Sequence, residues 1–197
     1  MNKYRTIIAL EGIDGAGKTT LINSLKEEYE GKICVYSRTK KGRYAKSLLN
    51  RSIVKNNYFL QIPIYIVLGY KNYFSCVCKS TAPILLMDRC FLSNICYYYP
   101  SAMNNKILYF FAMLFELKLF PDVIFIIDED AAVAQKRDMM QKDLTWLSKT
   151  RLNYLNAPYA TALSKYKIFV IQNNLTIEEK RIIISRKIKS LVVSNKL

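Results

Sequence analysis

Apolar residues recur along the chain in short unbroken runs: Thr6-Ile7-Ile8-Ala9-Leu10, Ile33-Cys34-Val35-Tyr36, Ile84-Leu85-Leu86-Met87, residues 123–127 and residues 167–171. Each is too short for a helix and lacks alternation of apolar and polar positions, which predicts strands buried on both faces, as in parallel sheets. Pro83 and Pro121 introduce two of them. Between the runs the spacing becomes helical. Leu21, Ile22, Leu25 and Tyr29 share one side of a predicted helix that runs to about Gly31, with Lys26, Glu27 and Glu28 on the other. Three further helical stretches follow: one containing Ala45, Leu48 and Leu49, an apolar one over 58–77 that Pro63 interrupts near its start, and a basic amphipathic one from about Thr176 to about Val193. Strands alternating with helices predict an α/β fold, a parallel five-stranded sheet with helices on both faces, in one domain over residues 1–197.

In such a sheet ligands gather at the carboxyl ends of the strands. The first strand ends on Glu11 and runs into Gly12, Ile13, Asp14, Gly15, Ala16, Gly17, Lys18, Thr19 and Thr20. The pattern G-x-x-x-x-G-K-[ST] is complete in Gly12, Gly17, Lys18 and Thr19, between a strand and an amphipathic run, and predicts a phosphate-binding loop. Glycines let the backbone wrap an anion so that successive N–H groups face its oxygens, and the following helix adds the positive end of its dipole. Lys18 is placed to reach the β- and γ-phosphates of a nucleotide, and the Thr19 hydroxyl to ligate Mg²⁺. A turn that merely joined strand to helix would need neither Lys nor Thr. The loops after the other strands bring Arg38, Asp88, Arg89 and Asp128 to the same crevice.

Composition narrows the choices further. Of 197 residues, 51% are apolar and 23% charged, the balance of a folded chain. The absence of histidine removes Ser-His and Cys-His nucleophile pairs and any His-containing metal site. Cys34, Cys76, Cys78, Cys90 and Cys96 have no zinc spacing, and their odd number points to reduced thiols in a cytoplasmic setting. The greasiest stretches, 58–70 and 107–120, are too short or too interrupted, by Glu116 and Lys118, to span a bilayer and read as core helices; no signal peptide precedes the first strand. A net charge of +15 raises the question of nucleic acid, but the basic residues are spread from Lys3 to Lys196. The two densest groups, 38–43 and 180–189, are also accounted for by a nucleotide-phosphate site and a solvated helix face.

Four segments, in order, resemble the thymidylate kinase family of nucleoside monophosphate kinases over nearly the whole chain. They are the loop from Leu10 to Thr20 with its acidic Asp14; Ser37-Arg38 with Gly42, where the family has Thr-Arg-Glu-Pro-Gly-Gly; Asp88-Arg89 followed by Ser93-Asn94 and Tyr97; and Pro121-Asp122, Ile127-Asp128 and Lys136-Arg137 leading to a lid, with Arg151-Leu152-Asn153-Tyr154 after it. The resemblance implies a P-loop nucleoside monophosphate kinase fold, ATP and Mg²⁺ as cofactors, a small-molecule nucleotide acceptor such as dTMP, and a homodimer. By the same resemblance Arg38 and Arg89 clamp the acceptor phosphate, a task suited to a guanidinium fork. Asp14 accepts from the sugar 3′-hydroxyl, Asp88 holds the Mg²⁺ shell, Asn94 meets a pyrimidine edge, Tyr65 stacks on the base and Tyr97 crowds a ribose 2′-hydroxyl.

Several of these residues have other readings. Asp88-Arg89 can form a buried ion pair, Tyr65 and Tyr97 can be core aromatics, and Asn94 can cap a helix. The chain also departs from the family. Thr39-Lys40 replaces Glu-Pro, and Gly69 stands one turn after Tyr65 where an arginine often reads the thymine carbonyl, with Lys71 the nearest cation. The phosphate loop has no arginine, and the lid, about 137–150, is short, with Lys142 and Lys149 as its further cations before Arg151. Arg137 or Lys136 is then expected to supply the transition-state charge, or turnover is slow. Thr39 and Gly69 favour a kinase of the same fold acting on another small acceptor, and the short lid favours a nucleotide-binding protein with weakened catalysis.

Overall fold

A computed structural model of the chain describes residues 6–37, 81–98, 103–107, 120–137 and 142–194. β1 (Thr6–Glu11) leads to α1 (Lys18–Glu28) and β2 (Ile33–Ser37); β3 (Ile84–Asp88) leads to α2 (Phe91–Tyr98). β4 (Val123–Ile127), α3 (Ala131–Arg137), α4 (Leu144–Asn156), β5 (Lys167–Ile171) and α5 (Ile177–Ser194) follow. Two 3-10 turns, Ala157–Tyr159 and Thr161–Leu163, join α4 to β5.

The predicted strands are all present and pair in parallel in the order β2-β3-β1-β4-β5. The unbroken apolar runs explain why. Every residue of β4 is buried, as are Ile8, Ala9 and Leu10 of β1 and Ile84 to Met87 of β3, so the central strands need cover on both faces. β5, at one edge, is wetter: Lys167 and Val170 are exposed, and Lys187 of α5 lies 4.6 Å over the Phe169 ring. α5 is drawn onto α1 by the Tyr29 hydroxyl, which meets Ser185 Oγ at 2.8 Å, and by Arg181, which pairs with Glu28.

The position of β1 decides where the site falls. It lies between β3 and β4; the connection after β1 runs to β2 on one side and the one after β4 to β5 on the other, so the switch point is at the carboxyl ends of these two neighbours. Register sets Leu10 opposite Asp88 and Glu11 opposite Ile126, which brings these strand ends level. Arg89 N then donates to Leu10 O at 3.1 Å, and Asp128 N to Ile171 O at 2.9 Å, carrying the ladders one residue beyond β3 and β4.

Two element ends differ from the sequence expectation. α1 stops at Glu28 rather than near Gly31, because Tyr29 leaves helical geometry while its N–H still reaches Leu25 O, and Gly31 at φ 72 turns the chain toward β2. Thr176 lies just outside α5 as half of a capping box: its N–H donates to Glu179 Oε2 at 2.8 Å and its hydroxyl accepts from Glu179 N at 3.3 Å. Cys34, Cys90 and Cys96 are free thiols. The expected helices around Ala45 and over 58–77, together with Cys76 and Cys78, lie outside the described residues. Among the described residues no helix is long and apolar enough to cross a membrane.

Candidate active site

The loop from Gly12 to Gly17 is shaped by what surrounds it. Gly12 has φ 137 and a side chain there would overlap the carbonyl oxygen of Ile127, so the loop starts flush against the end of β4. Gly15, at φ 81, lies as tightly on the Ala134 carbonyl of α3. Only glycine satisfies both the backbone angle and the space at these positions. Gly17, at φ 82, is the N-cap of α1. Ile13 and Ala16 are buried beneath the loop, while Thr19 and Thr20 are exposed at the first turn of α1. The buried Lys18 side chain folds back so that Nζ donates to Gly12 O at 3.0 Å and Ile13 O at 2.6 Å.

Gly12 O also receives Nη1 of Arg89 at 3.1 Å, so one carbonyl holds both the loop lysine and the first arginine after β3. Arg89 adopts φ 70, an uncommon angle for a residue with a side chain, and its guanidinium is nearly buried. Nη1 further donates to Ser93 Oγ at 3.1 Å and Tyr154 Oη at 3.4 Å, Nη2 pairs with Asp14, and the guanidinium carbon lies 5.3 Å from the Tyr97 ring centre. Burial works against the Arg89 charge, but Tyr154, Tyr97 and Glu11 around it raise its pKa above the ordinary value. Asp88 turns the other way and accepts from Ser37 Oγ at 3.2 Å. The ion-pair reading of Asp88-Arg89 therefore gives way to two separate partners, Asp14 for the arginine and Ser37 for the aspartate.

Behind Arg89 stands Glu11, a fully buried carboxylate at the end of β1. It accepts from Cys90 N at 2.6 Å, Ser93 N at 3.2 Å, Ser93 Oγ at 2.6 Å and Tyr154 Oη at 3.0 Å. From sequence, Glu11 stands at the head of the loop motif with no role assigned to it. The available signal was a lone acid closing an otherwise apolar strand, which must find partners once buried. Asn94 lies inside α2, not at its cap. Tyr97 is half-buried, with Trp146 and Tyr154 rings at 5.0 and 5.9 Å, and burial pushes its hydroxyl up to about 12 despite the neighbouring Arg89.

The lid cations separate in space. Arg137, largely exposed at the end of α3, donates to Glu129 Oε2 at 2.9 Å. Arg151 on α4 grips Asp128 with two bonds, Nε to Oδ1 at 2.6 Å and Nη2 to Oδ2 at 2.9 Å. Lys142, immediately before the Asp143 cap of α4, pairs with Asp14 and lies 5.1 Å from the Trp146 ring and 5.8 Å from that of Tyr97. Its burial lowers its pKa. Gln135 Nε2 holds the Lys142 carbonyl at 2.8 Å, tying α3 to the start of α4.

Among the described residues no group of three or more His, Cys, Asp or Glu is arranged to hold a metal. Mg²⁺ asks for less from the protein, since it takes oxygen ligands and draws most of them from water and phosphate. The exposed Thr19 hydroxyl in the first turn of α1 and the half-buried Asp88 carboxylate at the end of β3 are donors of that kind, and they fit it. Of the residues expected at the site, Gly12 to Thr20, Asp88, Arg89, Asn94, Tyr97 and Arg137 are described. Arg38 and Tyr65 lie outside the described residues, as do Thr39, Lys40, Gly69 and Lys71.

Comparison with known proteins gives a consistent result. A family model described as Thymidylate kinase matches residues 10–184. A probable thymidylate kinase 1 from Saccharolobus solfataricus is 27% identical over 193 residues, covering 89% of this chain and 98% of that protein. A thymidylate kinase from Campylobacter jejuni is 24% identical over 149 residues, 75% of this chain and 76% of its own. The fold is similar to the crystal structure of thymidylate kinase from Ehrlichia chaffeensis, with a TM-score of 0.62 and 18% identity over 93% of this chain and 98% of the other.

Proposed function

The chain belongs to the thymidylate kinase family, and on that footing we propose that it transfers the γ-phosphate of ATP to dTMP or a closely related deoxynucleotide. The observation that carries the reading is the shared Gly12 carbonyl, which sets Lys18 at 3.0 Å and Arg89 at 3.1 Å from one oxygen. Two cations held so close suit two phosphates that must meet. Phosphoryl transfer needs little covalent help from a protein; alignment of donor and acceptor and neutralisation of their charge supply nearly all the rate.

In this reading the N–H groups of the 12–17 loop and Lys18 hold the β- and γ-phosphates. Arg89 and Arg38 hold the acceptor phosphate, so attacking oxygen and γ-phosphorus approach in line. Asp14, already oriented by Arg89 and Lys142, accepts from the sugar 3′-hydroxyl. Asn94 and Tyr97 on α2 face the nucleoside, with Tyr65 as its stacking partner. Thr19 and Asp88 hold Mg²⁺, which when bound neutralises phosphate charge. Lys142, Arg137 and Lys136 are the cations available to the lid. The protein acts in the cytoplasm as a homodimer in this reading, which light scattering of the purified chain checks.

The test is a coupled ADP-release assay with ATP, Mg²⁺ and a panel of nucleoside monophosphates. ADP formation dependent on dTMP is expected, and the absence of acceptor-dependent ADP with every monophosphate would overturn the reading.

A further inference from the structure

We propose that Glu11 is the positioning residue of the acceptor clamp: acting through Ser93 and Tyr154 it sets the place of the Arg89 guanidinium, and Tyr154 links that setting to the lid helix α4. The inference rests on the acceptor role given to Arg89 above. It begins from the satisfaction of a carboxylate with no exposed surface. Oε1 takes the backbone N–H groups of Cys90 and Ser93, and Oε2 takes the hydroxyls of Ser93 and Tyr154. Each hydroxyl has a single proton, and with that proton directed to Glu11 its oxygen is left to accept. Both oxygens then face Nη1 of Arg89, at 3.1 and 3.4 Å.

This indirect arrangement has a chemical point. Glu11 Oε2 lies 4.0 Å from Nη1, near enough to counter the buried guanidinium, while the two hydroxyls stand between as acceptors. A carboxylate gripping Arg89 with both oxygens would occupy the fork that a phosphate needs. Here Glu11 itself takes neither Nη atom, and Nη2 is left to pair with Asp14. The same carboxylate secures the N–H groups on either side of the turn into α2, which holds Arg89 at φ 70 against its preference for other backbone angles. Burial and then the Glu11 charge raise the Tyr154 pKa well above its ordinary value, so the phenol keeps the proton it gives.

Tyr154 belongs to α4, whose start is marked by Lys142 and the Asp143 cap. The segment from Lys142 through α4 therefore makes two contacts, Lys142 with Asp14 of the loop and Tyr154 with Glu11 at the end of β1, on either side in sequence of the Gly12 and Ile13 carbonyls that hold Lys18. A shift of α4 moves both contacts, so the lid and the acceptor clamp move as one unit.

The experiment compares Glu11→Gln, Tyr154→Phe and Arg89→Lys singly, and Glu11→Gln with Arg89→Lys together. Expected is a rise in KM for dTMP of about 10-fold in Glu11→Gln and Tyr154→Phe, with KM for ATP within about two-fold, and no further rise on adding Glu11→Gln to Arg89→Lys. NMR of the arginine guanidinium supplies a readout that needs no turnover: separate Arg89 Nη signals from hindered rotation are expected in the wild type, and in Tyr154→Phe a displaced Nη1 signal, with Gly12 O and Ser93 Oγ still bonded to it. An unchanged KM for dTMP in Tyr154→Phe, additive effects in the cycle, or an Arg89 Nη1 signal unmoved in Tyr154→Phe would each overturn the inference. Should Glu11→Gln fail to fold, Tyr154→Phe decides. If wild-type protein phosphorylates no monophosphate, the functional reading falls, and the Arg89 signals alone decide whether Tyr154 positions it.

Discussion

Lys142 pairs with Asp14 across 128 residues of sequence, so that the lid segment rests on the phosphate loop itself. Arg137, the cation that its position in sequence favours, is instead more than half exposed and bound to Glu129. Lys142 is also held from behind, through its carbonyl by Gln135 and through its ammonium by the faces of Trp146 and Tyr97. In the proposed reading, Lys142 is the lid cation that stands beside the phosphate loop to neutralise phosphate charge.

Replacing Lys142 with Met is therefore expected to lower kcat/KM for dTMP by about 10²-fold, less than the ~10³-fold or more that a transition-state arginine contributes. Lys142→Arg, which keeps the charge, should retain activity within about five-fold. Steady-state kinetics on both variants check this, and equal losses in the two would contradict it.

Gly15→Ala should abolish nucleotide binding and destabilise the fold. The added methyl meets the Ala134 carbonyl of α3 at a backbone angle of φ 81, and neither α3 nor the loop can yield without parting from the other. A loss of about 2–4 kcal/mol in urea unfolding is expected, with ATP affinity reduced at least about 100-fold by calorimetry.

The Arg151 grip on Asp128 is partly buried, its two side chains 27% and 9% exposed. Arg151→Ala leaves a nearly buried carboxylate at the end of β4 with one neighbour removed, and should cost about 2–3 kcal/mol, below the range for a fully buried pair because water reaches the arginine. Arg151→Lys restores one bond and should recover roughly half the loss. Equilibrium unfolding of the two variants gives the comparison.

Acid should loosen α5 from α1 through Glu28. Burial alone would raise its pKa, but Ser185, Arg181 and Lys189 outweigh it and bring the carboxyl below 4.5. A group with a folded pKa below its unfolded one adds stability that is whole above the unfolded value and is lost as pH falls through the folded value. The stability gap between wild type and Glu28→Gln is thus expected to be constant from about pH 7 to about pH 5.5 and to narrow below about pH 4.5. Urea melts at stepped pH measure it, and a gap that persists to about pH 2 would contradict the assignment.

Much of this protein was legible in its order of residues. The strands follow from consecutive apolar positions, and the loop from Gly12, Gly17, Lys18 and Thr19 at fixed spacing. The boundaries were less so: α1 ends early because Tyr29 and Gly31 leave helical geometry together, which spacing does not encode. Asn94 could be read as a cap from its residue type, yet it lies within α2 because the helix already begins at Phe91.

By itself, then, the sequence determined the α/β class, the phosphate loop and the family, all of which depend on residues near one another in the chain, where periodicity and short motifs act. Only the tertiary structure decided the strand order β2-β3-β1-β4-β5 and the partners of Glu11, Asp14 and Lys142. The partners of Glu11 and Asp14 lie from 75 to 143 residues away along the chain. A buried carboxylate must be satisfied by whatever the packed sheet brings to it, and that choice exists only once β1 stands between β3 and β4.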